Sequence, residues 1–534
     1  MSYIKKSAAV FLSVVIILSI MWTVPVVSGA SSVIEPSRMT FEQYVVTSLE
    51  NYVAEIEIAY YIQNNRDWLR RAQSDVSDFI QDVLGEEILR IHAENPQLFH
   101  VTTSPMVSYT SDFSAFNLIF DYFMTPAEYN AAKGRMETAI NEALNYAKSA
   151  ENDFEKALFL HDYIVLNTIY DSENLAYLEK NNYSTPLREN SHTAYGVLVD
   201  GLAVCDGYAR AYLYLLRRAG VESRVITGTM KGGPHIWNLV KIDGYWYHAD
   251  TTASDPVAGD YDVHGLVTHK YFLLSTDGLR AVIDNSGRQT HNDFSLPAGI
   301  TANSTAYDNA FFRTINTAIV KHNGHYYWIA STPSVERGLN NNSLMRYNIS
   351  SRTITTVHSF SSIWYLDGTE TDPSYSFEVS SYVGVAVYDG KIYFNTAKEI
   401  YAYNIAAGEI EIIHSPANLG GTGNRFIFGL AMSENIISYS IRVRVDSAGT
   451  IERISVQPAA QPTEPEEPPP PPQPPTDTVI VFTSADALTV LKYGVGMTTL
   501  TAEQYEKYDL NNDGRINASD ALVILQVVVG LVQV

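Results

Sequence analysis

Ser191-His-Thr-Ala-Tyr-Gly-Val-Leu-Val-Asp-Gly-Leu-Ala-Val-Cys-Asp-Gly-Tyr-Ala209 is the stretch from which the rest of the chain can be read. Its Cys205 is the only cysteine in 534 residues. A lone cysteine cannot close an intramolecular disulfide, so it is either an inert core filler or a working thiol. His192 to Val199 has the pattern of a short helix, and Asp200-Gly201 turns the chain. A second helix then starts near Cys205 and runs through Tyr208, Tyr212, Leu215 and Leu216 to Gly220, a residue suited to ending it. At a helix start, unpaired N–H groups and the positive end of the dipole favour thiolate over thiol. Gly207, early in that helix, is expected to leave room for a group approaching the sulfur.

Downstream lie His235-Ile-Trp-Asn-Leu-Val-Lys-Ile242 and Tyr245-Trp-Tyr-His-Ala-Asp250, flanking Asp243-Gly244. Asp-Gly between two alternating runs predicts a two-residue hairpin turn. In that register Ile242 faces Tyr245, residue 250 faces Trp237, and His235 is diagonal to Asp250 on the same face. Diagonal cross-strand partners lie about 7–8 Å apart, within reach of these side chains. Each residue taken singly has a bland reading: buried thiol, core histidine, turn aspartate. Together they supply a nucleophile, a base and an orienting carboxylate.

These phrases, with Gly-Val-Glu-Ser-Arg-Val-Ile-Thr-Gly228 and His161-Asp-Tyr-Ile-Val-Leu-Asn-Thr-Ile-Tyr-Asp171, resemble the transglutaminase-like cysteine peptidase superfamily over about residues 151–285. The resemblance implies an α+β, papain-like core with a Cys205, His235, Asp250 triad acting on amide bonds of protein or peptide. Hydrolysis is favoured over cross-linking. The family often continues Asp-x-Thr-Trp; here Ala253 follows Thr251-Thr252, opening one wall of the expected cleft.

Outward from this core, residues 37–150 read as mainly helical, with helical spacing over Phe41–Tyr61 and Ala132–Ala147 and a strand-like Phe116–Tyr122. Residues 300–456 alternate with period two. Asn323-Gly-His-Tyr-Tyr-Trp and Asp389-Gly-Lys-Ile-Tyr-Phe form a weak repeat, echoed by Arg346-Tyr-Asn-Ile and Ala402-Tyr-Asn-Ile. A partial propeller or a β-sandwich is expected there. Residues 457–476 form a Pro-rich linker.

Beyond the linker, residues 477–534 carry Asp509-Leu-Asn-Asn-Asp-Gly-Arg-Ile-Asn-Ala-Ser-Asp520. Side-chain oxygens of Asp509, Asn511, Asp513, Asn517 and Asp520, with the Arg515 carbonyl, meet the needs of one EF-hand-type calcium loop, and Gly514 supplies its turn. Asp486-Ala-Leu-Thr-Val-Leu-Lys repeats Asp520-Ala-Leu-Val-Ile-Leu-Gln at an offset of 34, and Gly496 matches Gly530. The first half has Pro475, Asp477 and Val479 at ligand positions, so only one site is expected. This duplicated tail resembles a type I dockerin, which implies docking onto a cohesin of a cellulosomal scaffold protein. In the family, partner choice is read at positions that fall on Ala518, Ser519, Ser484 and Ala485. Leu488, Leu491, Leu522 and Leu525 are expected to pack the halves together and present the docking surface.

Lys5-Lys6, the uncharged run Ala8–Trp22 and Ser28-Gly29-Ala30 have the pattern of a secretory signal peptide over residues 1–30. The mature chain is then extracellular, with no membrane segment. A net charge of −23 argues against nucleic acid as a partner. There is no His-Glu-x-x-His and no phosphate loop, and one cysteine excludes a thiolate zinc site. The expected molecule is a secreted thiol enzyme on a cohesin-bearing scaffold. The alternative is a non-catalytic scaffold-bound protein with an idle triad, binding polysaccharide or protein through the β-rich zone.

Overall fold

The structure is a computed structural model. It describes residues 34–457, 482–510 and 514–529, apart from 104, 182–185, 260, 285, 334–338, 368–375, 379, 418 and 420–424. The expected signal peptide, the linker beyond Gln457, and the expected calcium ligands Asn511 and Asp513 lie outside the described residues. Two compact units are separated, residues 1–458 and 459–534. No helix among the described residues is long and apolar enough to cross a membrane.

The helix expected to run from Phe41 to Tyr61 stops at Glu50. Tyr52 then takes φ +60° and Glu55–Glu57 enters a three-stranded antiparallel sheet, against Phe116–Ile119 and with Met106–Tyr109 beyond it. A left-handed tyrosine breaks the helical run, and Ile56 is buried between exposed Glu55 and Glu57, which is strand rather than helix periodicity. Helix Pro126–Tyr146 is opened by Thr125 and Glu128 in a capping box with Pro126 in its first turn. Asp153–Asn167 is opened by Asn152, whose side chain accepts from the Glu155 N–H.

The Cys205–Arg218 helix buries Tyr208, Tyr212, Leu215 and Leu216 against Asp153–Asn167 and one face of a four-stranded antiparallel sheet. In spatial order the strands are His291–Asn292, Ser223–Met230, Gly233–Ile242 and Tyr245–Ala249. The hairpin has the expected register, Ile242 to Tyr245 through Asn238 to Ala249, with Asp243 and Gly244 at φ +51° and +84°. Both turn residues have positive φ, as a two-residue turn matched to strand twist requires. The outer strand comes from residues 291–292, past the boundary at 285 read from the sequence.

The β-rich zone consists of antiparallel meanders. Val320–His322, His325–Pro333, Asn340–Asn348 and Thr353–Ser362 form one sheet; Val385–Tyr388, Lys391–Asn395, Ile400–Asn404 and Glu409–His414 form the next; Phe426–Ser433, Ile436–Arg442 and Thr450–Ser455 form a third. The weak repeat is structural. In both four-stranded sheets the Asn-Gly or Asp-Gly turn has two positive φ values, and its glycine carbonyl accepts from Ile349 or Ile405, each at 3.1 Å. Among the described residues nothing closes these sheets into a barrel or ring.

The first meander shares its core with the cysteine-bearing segment. Trp328, Tyr326, Ile315 and Phe312 join the cluster around Leu158, Tyr212 and Phe272. Buried Asp162 ties the two polar edges. Its Oδ1 accepts from His161 and His269, each at 2.9 Å, and its Oδ2 from the Ile319 N–H at 3.0 Å.

In the second unit, helices Ser484–Gly494 and Ala518–Val528 pack through Ala487, Val490, Ala521 and Ile524, together with Phe482, Tyr508 and Ile516. Ala487 and Val490 are the 34-residue counterparts of Ala521 and Ile524. The four leucines expected at this interface instead face outward, at 52% for Leu488, 42% for Leu491, 57% for Leu522 and 40% for Leu525. Small and β-branched side chains let the helices approach closely. The neighbouring leucines are rotated about 100° off that line.

Candidate active site and calcium loop

Asp171 N–H bonds Ala203 O at 2.9 Å, and Ile169–Tyr170 pairs in parallel with Leu202–Ala203. This short ladder delivers the chain to Val204, the N-cap of the cysteine helix, which offers no side-chain acceptor to the first turn. Gly201, at φ +63°, makes the turn that precedes it. Cys205 is partly exposed at the helix start. Gly207 does not leave space over the sulfur, as its position in the sequence suggested. A Cβ there would sit 2.7 Å from Ser191 O and 2.8 Å from the Ala203 Cβ, so this glycine lets the helix start close onto the preceding loop.

The hairpin is fastened to this helix by Asn238, whose Nδ2 donates to Ala209 O at 2.9 Å. His235, on the first hairpin strand, is buried, and Cys205 lies close enough to help hold its imidazole protonated. Its Nε2 bonds Asp250 Oδ2 at 2.7 Å, which leaves Nδ1 for the sulfur. The structure thus brings all three expected residues together. Trp237 lies nearly parallel to the His235 ring, centroids 5.8 Å apart, and is itself oriented by an Nε1 bond to His248 Nδ1 at 3.0 Å.

Burial pushes the His235 imidazole down, but the Asp250 carboxylate and Cys205 outweigh it and hold it up at about 10. Burial pushes Asp250 up, but His235 and His291 hold it well below the usual carboxylate range. Asp250 Oδ1 accepts from the Ala253 N–H at 2.9 Å. Ala253 therefore serves through its backbone.

Three participants were not read from the sequence. His291 Nε2 reaches Asp250 Oδ2 at 2.8 Å. His192 Nδ1 bonds Asp206 at 3.0 Å while its Nε2 meets Asn174 Nδ2 at 3.2 Å, bracing the residue after the cysteine. Tyr170 is placed beside Cys205, and burial followed by the charges of Cys205, Asp206 and Asp250 pushes its phenol up. His192 and Tyr170 lie in stretches quoted above but carried no assigned role there; no local motif marks His291, which only the fold brings near. His235, Asp250 and His291, and likewise His161, Asp162 and His269, have a composition seen in metal sites. In each group, however, the imidazoles sit at 2.7–2.9 Å from the carboxylate, as hydrogen-bond donors to it.

In the second unit, the ends of the loop expected to hold calcium converge. Asp520 is buried and accepts from Leu510 N at 3.2 Å and Asn517 N at 3.0 Å, and Asp509 Oδ2 accepts from Gly514 N at 2.9 Å. Gly514 has φ +76°, as the loop's sharp turn demands. Asn517 also caps the following helix through Ser519 N at 2.9 Å. Two acids, an amide and the turn glycine fit a hard oxygen-seeking cation. The first half is built otherwise. Asp486, the counterpart of Asp520, accepts from Lys507 Nζ at 2.9 Å and from the Tyr508 hydroxyl at 2.6 Å. A side-chain ammonium neutralises that carboxylate.

Comparison with known proteins follows these two regions. Residues 138–251 match the model of the transglutaminase-like superfamily, and residues 481–528 match that of the dockerin type I domain. No curated protein matches the chain. Solved structures that match include a TGase (17% identity, TM-score 0.22), a candidate cysteine protease from Cytophaga hutchinsonii (18%, 0.17) and a candidate protease from Parabacteroides distasonis (14%, 0.18). These matches cover 29%, 28% and 30% of this chain and 45%, 63% and 32% of the respective structures, less than two thirds of each.

Proposed function

We propose that this chain is a secreted thiol enzyme acting on amide bonds of extracellular protein or peptide, tethered to a scaffold through its C-terminal module. The observation that carries the reading is His235, hydrogen-bonded to Asp250 and beside Cys205, within the segment that matches the transglutaminase-like model. Cys205 Sγ attacks the amide carbonyl carbon, forming an S–C bond and an oxyanion. The N–H groups at the helix start, to which Val204 offers no side-chain acceptor, would receive that oxyanion. The C–N bond then breaks, and His235 gives its proton to the leaving amine. Water or an amine attacks the thioester, His235 takes the incoming proton, and the thiol is released. Asp250 holds the ring throughout.

The dockerin-type match supports docking of residues 477–534 to a cohesin module, with calcium held by Asp509, Asn511, Asp513, Arg515, Asn517 and Asp520. Calcium supplies the positive charge that lets these oxygens converge. It has no part in the thiol chemistry. The signal-like residues 1–30 support export. A digest of a peptide library, with and without added amine, tests the reading. Cleaved or amine-tagged peptides are expected from wild type and none from Cys205→Ala. Equal activity in the alanine variant sinks the thiol mechanism.

A further inference from the structure

Asp250 is held more elaborately than a three-residue unit requires. One oxygen, Oδ2, accepts two imidazole N–H groups, from His235 at 2.7 Å and from His291 at 2.8 Å. The other accepts the Ala253 N–H at 2.9 Å. The donors come from three separate places: the hairpin, the turn after Asp250, and the outer strand His291–Asn292. A carboxylate held by one donor can rotate; held by three it has a single orientation.

His291 is fully buried and is fixed in turn. Thr290 Oγ1 lies 3.0 Å from its Nδ1. That hydroxyl's alternative acceptor, Val282 O, is farther at 3.3 Å and already takes the Thr290 N–H at 3.0 Å. Asp250 Oδ2, a carboxylate oxygen, can only accept, so Nε2 carries the proton given to it, and Nδ1 faces the hydroxyl. The ring packs edge-on to Trp237, centroids 5.1 Å apart, and against Tyr271 at 5.5 Å.

We propose that His291 is a positioning residue of the thiol site, donating to the Asp250 oxygen that binds His235 so that the carboxylate keeps one orientation and divides its charge between two rings. This rests on the reading of Cys205, His235 and Asp250 as a working unit. Dividing the charge matters because His235 has to release its proton to the leaving amine. A second donor on the same oxygen weakens the grip of Asp250 on that proton.

Other charged or titratable groups facing the unit come from each neighbouring element. Asp206, braced by His192, and Arg210 lie on the cysteine helix, and Tyr170 precedes it. His161 approaches Asp250 from the core helix, Tyr271 from the segment beneath, and His248, flanked by Arg280, lies near His291. Variants at His291 leave all of these in place, and Thr290→Val touches Tyr271 alone among them.

The test is the pH profile of Cys205 alkylation by iodoacetamide, which needs no substrate, measured on the full chain as wild type, His291→Phe, His291→Gln and Thr290→Val, with a thermal melt of each. Removing the donor in His291→Phe is expected to slow alkylation at pH 7 roughly tenfold. It should also move the upper inflection, where His235 loses its proton, to higher pH by about half a unit or more. His291→Gln, whose amide can donate to the same oxygen, is expected to restore both. Thr290→Val, nearly isosteric, should move the inflection the same way by less. A wild-type profile in His291→Phe, an inflection that moves down, or a glutamine variant as altered as the phenylalanine one overturns the inference. If His291→Phe does not fold, an unchanged profile in Thr290→Val overturns it. A wild type showing the single inflection of an ordinary thiol overturns the underlying reading as well, whereas two inflections insensitive to His291 sink the inference alone.

Discussion

Asp250 is where the residue-scale argument is sharpest. Its carboxylate is buried and accepts three N–H groups, one of them from His235. Asp250→Asn keeps the shape but removes the charge that outweighs the burial of His235. The imidazole should then lose its proton at lower pH, since only burial and the sulfur remain to set it. The expected outcome is an upper inflection of Cys205 alkylation displaced to lower pH, opposite in sign to the change at His291. Amide-directed activity should drop by about a hundredfold or more, less than for His235→Ala. Full activity in Asp250→Asn would remove the carboxylate from the mechanism.

At the scale of elements, two devices set geometry: the Asp243-Gly244 hairpin and the paired helices of the tail. The hairpin turn places His235 and Asp250 on one face, and a slip of one residue would put them on opposite faces. The tail repeats its capping as well as its core. Thr483 with Asp486, and Asn517 with Asp520, form capping boxes 34 residues apart. The halves part at the acid. Burial pushes Asp486 up, but Tyr508, Lys507 and Thr483 hold it well below the usual range. Calorimetric titration of the full chain should therefore find one tight calcium site. Lys507→Met should keep that count at one while lowering the melting temperature of the tail. Two tight sites in wild type would show that the ammonium does not stand in for the cation.

Over the whole molecule, burial of neutral histidines dominates the response to acid. Burial takes His92 and His248 down to about 3 and His100 and His264 down to about 4, and it lowers His161 despite Asp162. In the unfolded chain each would titrate near 6.5. Below that pH the unfolded state binds protons that the folded state refuses, so stability is present above about 6.5 and is lost as pH falls. For His92, fully buried with neither ring nitrogen bonded, the loss at pH 5.5 is about 1 kcal/mol. His235 has the opposite sign: its contribution is full below about 6.5 and is lost as pH rises through about 10. Melting temperatures should hold between these limits and fall by several degrees from pH 7 to 5.5. His92→Phe, placed against Phe120, should flatten the acid slope. A slope that stays the same would locate the acid sensitivity elsewhere.

Short-range chemistry was legible without coordinates. Asp243-Gly244 admits one kind of turn, and its register follows from strand pleating. Gly201 and the apolar spacing after Cys205 mark a helix start, and the 34-residue repeat marks the paired helices of the tail, though not which of their faces meet. These features depend on backbone sterics within a few residues or on a periodicity written in the chain. Tertiary structure decided what depends on approach between distant segments. His291 lies 41 residues from Asp250 and carries no local motif. Gly207 is small because another loop presses on it, not to admit a substrate. The Phe41–Tyr61 helix yields at Tyr52 to a sheet formed with residues more than fifty positions away. The outward leucines of the tail, and the Lys507 ammonium on Asp486, follow from which helix faces can approach most closely. A sequence states what each segment can form alone. Packing chooses among those forms, because burial free energy accrues only when distant surfaces meet.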